Sequence, residues 1–78
     1  MAVVKLFAQL REIVGRGEVR VEASTVDQAV SEIAAQVGES FKALMPHCRI
    51  WLDGEPASGS DQVTAESEIA ILPPVSGG

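Results

Sequence analysis

Residues 18–38 read EVRVEASTVDQAVSEIAAQVG, and the spacing of apolar positions changes within them. Val19 and Val21 alternate with Glu18, Arg20 and Glu22, the period-two pattern of a half-buried strand. From Ser24 onward the period lengthens. Val26, Ala29, Val30, Ile33 and Val37 recur at three- and four-residue intervals and form one apolar stripe along a helix. Ser24 or Thr25 can cap its first amides, and Gln28 stands three residues after Thr25, the spacing of a capping box. Asp27 lies in the first turn, where the helix dipole favours negative charge. Gly38 closes the helix. A strand that leads directly into one amphipathic helix points to two layers, with the helix lying on one face of a sheet.

The flanking segments supply that sheet. AVVKLFA (residues 2–8) is rich in β-branched residues. Val4 and Leu6 share one parity, and Val3, Lys5 and Phe7 share the other. The lysine marks the wetter face, so Phe7 is expected to point away from the core. QLREIVGRG (9–17) contains Gly15 and Gly17 and reads as a turn, making a hairpin of the first two strands. Downstream, ESFKALMP (39–46) has room for a short helical turn before Pro46. RIWLDGE (49–55) reads as a third strand ending in an Asp53-Gly54 turn, and PASGSDQVTAE (56–66) is polar and turn-rich. SEIAILP (67–73) alternates again, with Ile69 and Ile71 on one side and Ala70 and Leu72 on the other, until Pro73 ends the ladder.

The order is therefore β-β-α-β-β, and the first and last strands must pair to close so small a core. The expected fold is α+β: a β-grasp (ubiquitin-like) mixed sheet with one main helix on one face. Residues 1–73 form the domain, and residues 74–78 form a flexible, protruding Gly-Gly tail.

Composition narrows the function. A chain of 78 residues, 46% of them apolar, makes one small globular domain. Its net charge of −5 repels phosphate backbones, so nucleic acid is an unsuitable partner, whereas a basic patch on another protein is a suitable one. Cys48 is the single cysteine, which rules out an internal disulfide and fits a reducing compartment. Lys5 interrupts the N-terminal apolar stretch, and no apolar run is long enough to span a bilayer. A cytoplasmic location, without membrane attachment, is expected.

Self-contained catalytic chemistry is missing. His47 and Cys48 are adjacent, but a Cys–His pair needs mutual hydrogen-bond reach and a third group to orient the histidine. Two ligands also fall short of a structural zinc site, so no metal is expected. Asp61, Glu66 and Glu68 flank a turn and read as a solvated face. GRGE (15–18) lacks the glycine pattern and lysine of a phosphate loop.

The tail offers a different chemistry. Its terminal carboxylate, taken to lie on Gly78, becomes a good electrophile once ATP converts it to a mixed anhydride with AMP. A sulfur nucleophile can then displace AMP and leave a thiocarboxylate. Residues 73–78 reach about 20 Å when extended. Pro73 and Pro74 stiffen the exit, and Gly77 and Gly78 can enter a narrow channel because they carry no side chain.

The sequence resembles the MoaD/ThiS family of ubiquitin-like sulfur carriers, on its molybdopterin synthase branch. VKLFAQLREIVG (4–15) resembles the family's opening strand, TVDQAVSEIA (25–34) its helix, and LDGEP (52–56) its strand and turn. EIAILPPVSGG (68–78) is the most specific piece, since the double proline is typical of the molybdopterin branch. Asp53 replaces the more usual asparagine, and AESE (65–68) departs from the usual turn before the last strand.

That resemblance implies a partner adenylating enzyme that uses ATP, a persulfide protein that supplies sulfur, and a large subunit of molybdopterin synthase into which the tail inserts. Gly78 would carry the acyl-adenylate and then the thiocarboxylate, with Gly77 beside it. Sulfur would pass to cyclic pyranopterin monophosphate to build a dithiolene. The catalytic side chains would belong to the large subunit, in an assembly of two small and two large subunits. The carrier itself would bind no cofactor.

Strand parity suggests the docking surface. Phe7, Trp51 and Leu72 fall on the face away from the helix, and Pro73, Pro74, Val75 and Ser76 continue from it. Exposed apolar side chains of this kind anchor protein interfaces. Other readings are a carrier for thiamine, amino-acid or tRNA thiolation, a protein modifier that forms isopeptide bonds through Gly78, and an interaction module with an incidental tail.

Overall fold

The computed structural model describes residues 1–74; the expected positions Val75, Ser76, Gly77 and Gly78 lie outside the described residues. In chain order the elements are β1 (Ala2–Leu6), α1 (Ala8–Val14), β2 (Glu18–Val21), α2 (Val26–Val37), α3 (Glu39–Leu44), a 3-10 turn (Met45–His47), β3 (Arg49–Leu52), β4 (Glu55–Pro56) and β5 (Glu68–Leu72). The five strands form one mixed sheet in the order β2-β1-β5-β3-β4. The first and last strands pair in parallel, with Val4 opposite Ile69 and Leu6 opposite Ile71. This is the expected β-grasp arrangement.

One face of the sheet carries the core. Val4, Leu6, Val21, Ile69 and Ile71 are buried against Leu10, Val26, Ala29, Ile33 and Phe41. The parity assignments of all four main strands hold in detail. α2 follows its stripe, with Val26, Ala29 and Ile33 buried and Val30 and Val37 packed at the margin. Its capping box is nearly regular. Thr25 Oγ1 accepts from the Gln28 amide at 3.2 Å, while Gln28 Oε1 accepts from the Ser24 amide at 2.8 Å, one residue earlier than the usual partner. The loop that precedes β5 also satisfies this helix end, because the Val26 and Asp27 amides donate to the carbonyls of Asp61 and Gly59.

The connection between β1 and β2 corrects the expected hairpin turn. Residues 8–14 form a helix, and Gly15 ends it at φ 88°, donating its amide to the Arg11 carbonyl at 2.9 Å. Leu10, Ile13 and Val14 lie on one side at helical spacing, and Leu10 is wholly buried. Seven residues cannot sustain a helix on propensity alone, so burial of this edge stabilises it. The two glycines mark the helix end rather than a tight turn. β1 and β2 still pair antiparallel. α3 brings the third helix, with Phe41 fully buried, and the main helix thus shares its face with two short ones.

Candidate functional site

The open face of the sheet follows from register. Lys5 lies opposite Ala70, Ala70 opposite Trp51, and Trp51 opposite Pro56, a row that crosses four strands. One step towards the end of β5, Arg49 lies opposite Leu72. The parallel register that sets Leu6 beside Ile71 carries Phe7, still extended at φ −125°, alongside Leu72. Phe7, Leu72 and Arg49 therefore form a second row, next to the first.

This places the three apolar residues read from parity on one surface. Phe7 is 42% exposed and Leu72 36%. Trp51 is half-buried by its neighbours on the same face and takes no part in the core. Pro73 is half-buried and Pro74 exposed, where the chain leaves the sheet. Here an open groove of about 630 Å3 is bounded by His47, Arg49, Trp51, Leu72, Pro73 and Pro74. His47 and Pro56 were not assigned to this surface by the sequence. The alternation of Arg49 and Trp51 signalled which side chains face outward, but only the register shows what stands beside them.

Cys48, Asp61 and Glu68 take structural positions. Cys48 donates its thiol to the Leu44 carbonyl, with Sγ 3.2 Å from the oxygen, and burial pushes its pKa up. A thiol held protonated is a poor nucleophile. Asp61 Oδ2 accepts from the Ser58 amide at 2.9 Å and so shapes its own turn. Glu68 pairs with Lys5 at 3.6 Å. Among the described residues, no group of three or more His, Cys, Asp or Glu side chains is placed to hold a metal ion. No helix among them is long and apolar enough to cross a membrane.

A β-grasp sheet with one helix-free face, an apolar patch on that face and an exit from its central strand defines a ubiquitin-like protein. More closely, the ThiS family matches residues 4–78, and the chain belongs to this family of ubiquitin-like sulfur carriers. It is 33% identical to small archaeal modifier protein 1 of Haloferax volcanii, with 95% of this chain and 97% of the relative aligned. The crystal structure of that protein superposes with a TM-score of 0.82 at 31% identity, covering 99% of this chain and 98% of that one. The solution structure of small archaeal modifier protein 1 from Methanosarcina acetivorans gives 0.89 at 25% identity, over 99% and 95% of the two chains. A complex of subunits 1 and 2 of molybdopterin-converting factor from Helicobacter pylori shares the fold, with a TM-score of 0.67, 20% identity, and 99% and 97% coverage.

Proposed function

We propose that this chain is the sulfur-carrying subunit of a molybdopterin synthase. ATP and a partner adenylating enzyme convert the Gly78 carboxylate to an acyl-adenylate, releasing pyrophosphate. Hydrosulfide displaces AMP to leave a thiocarboxylate; a persulfide does the same through an acyl disulfide that a thiol then reduces. The charged tail enters the large subunit and gives its sulfur to cyclic pyranopterin monophosphate, and the carboxylate is restored. A dithiolene contains two sulfurs, so each one consumes two charged carriers. The chain supplies no acid, base or nucleophilic side chain to these steps. Its part is to dock and to present the terminus.

The observation that carries this reading is the continuity of the apolar face with the chain exit. Trp51 and Leu72 line one groove with Pro73 and Pro74 at the end of the sheet's central strand, and the register sets Phe7 beside Leu72. A partner gripping that face meets the chain exit at Pro73 and Pro74. The PPVSGG ending (73–78) favours the pterin branch over other sulfur-transfer routes. Intact mass tests it: with ATP, sulfide and the cell's own adenylating enzyme, the chain should gain the mass of sulfur for oxygen, localised to Gly78. Adding the large subunit and the pterin precursor should then reverse the gain. An unchanged mass, with an enzyme shown active on another carrier, would sink the proposal.

The 33% identity to an archaeal modifier protein favours a second reading, in which activated Gly78 is joined to lysine amines of other proteins. Lysine-linked conjugates in cell extracts, lost when Gly77 and Gly78 are deleted, would establish that reading.

A further inference from the structure

We infer that Arg49 is the charged specificity element of the docking face and that the adenylating enzyme receiving this chain places a carboxylate opposite it. The inference rests on the carrier reading above and names the partner chemistry of that same surface.

It follows from a balance of charge on the open face. Two cations project from the rows that hold the apolar patch, Lys5 and Arg49. Lys5 has its counter-charge within the sheet, because Glu68 lies 3.6 Å away. Arg49 has none among the described residues. It stands directly opposite Leu72 and two residues from Trp51, so it sits among the side chains that a partner would cover. It lines the groove with His47, Trp51, Leu72, Pro73 and Pro74, and a second one with Cys48, Ile50, Trp51, Pro56 and Ala57. Neither contains an acidic side chain.

Docking on Phe7, Trp51 and Leu72 therefore takes water from a guanidinium that no described residue of its own chain neutralises. An unpaired charge buried in this way opposes binding strongly, whereas a carboxylate that accepts both guanidinium donors offsets the loss. The partner must be apolar where it meets Leu72 and Trp51 and acidic where it meets Arg49. Nothing comparable is required opposite Lys5. The local demand is opposite in sign to the chain's overall charge of −5, and so it discriminates among basic partners that the overall charge alone would attract.

The test uses the full chain as substrate of the cell's own adenylating enzyme, with Arg49→Met, Arg49→Glu, Arg49→Lys and Lys5→Met compared. Arg49→Met and Lys5→Met change the net charge equally, so any difference between them reports position. Arg49→Met and Arg49→Glu should raise KM for the chain roughly tenfold or more with kcat held. Arg49→Lys should recover only part of the loss, because an ammonium keeps the charge but not the two-donor fork, and Lys5→Met should stay within about twofold. Equal effects of Arg49→Met and Lys5→Met, or an unchanged KM for Arg49→Glu, would overturn the inference while leaving the carrier reading intact. A wild-type chain that is never adenylated would overturn both.

Discussion

Asp53 and Glu68 are joined twice: the Asp53 amide donates to the Glu68 carbonyl at 2.8 Å, and Asp53 Oδ1 accepts from the Glu68 amide at 2.9 Å. Asp53 has left the strand at φ 50°, so its own carbonyl can no longer complete the ladder, and its side chain takes that place. With Gly54 at φ 84° it forms the two-residue turn between β3 and β4. Asparagine provides the same acceptor and tolerates the same backbone. Asp53→Asn should therefore stay within about 0.5 kcal/mol of wild type in urea unfolding, while Asp53→Ala should lose about 1–2 kcal/mol.

A Cβ at Gly59 would run into the Asp27 carboxylate, the end of an exposed side chain that has to turn aside to admit it. The same glycine's carbonyl accepts from the Asp27 amide at 2.9 Å. Gly59→Ala should cost no more than about 1 kcal/mol, since an exposed side chain only has to change rotamer. Part of that cost should disappear when Asp27→Ala is combined with it, and a double-mutant cycle by denaturant titration measures the coupling.

Phe7 and Leu72 are exposed in the free chain, so removing them should separate binding from stability. Phe7→Ser and Leu72→Ser should keep unfolding free energies within about 1 kcal/mol of wild type. KM for the adenylating enzyme should rise roughly tenfold. Phe41→Ala, on the other face, should do the reverse, costing about 3–5 kcal/mol and acting on turnover only through the folded fraction.

The raised Cys48 pKa has a definite sign for stability. The folded state holds this proton more tightly than the unfolded chain, whose thiol ionises near the ordinary value of 9.0. The stabilising effect is complete below that value and is lost as pH rises from it through the higher folded-state value. Between about pH 8 and 10 wild type should lose stability more steeply than Cys48→Ala. Iodoacetamide should also modify Cys48 more slowly than a small free thiol at the same pH.

Much of this was legible because strand parity and helix period are local signals. The buried sides of β1, β2 and β5, the stripe and cap of α2, and the outward placement of Phe7, Trp51 and Leu72 all follow from spacing. α1 was hidden because its apolar edge is short and two glycines follow it, a pattern shared with turns; its burial against the sheet decides the matter. The juxtaposition of Arg49 with Leu72 was illegible for another reason. Register between β3 and β5 is set by long-range pairing, which no window of sequence contains.

The centre of the sheet is also its late-arriving member. β5 joins β1 on one side and β3 on the other, and Val4 near the start of the chain waits for Ile69 near its end. A nascent chain that has not yet delivered residues 68–72 to the solvent outside the ribosome holds two half-sheets with nothing between them. Local pairing of β1 with β2 cannot hide their apolar faces, and loop closure over that span makes the step slow. A chain that stops before residue 68 therefore leaves the facing edges of β1 and β3 unpaired. Completion of the fold therefore waits for β5, and the exit at Pro73 follows it directly.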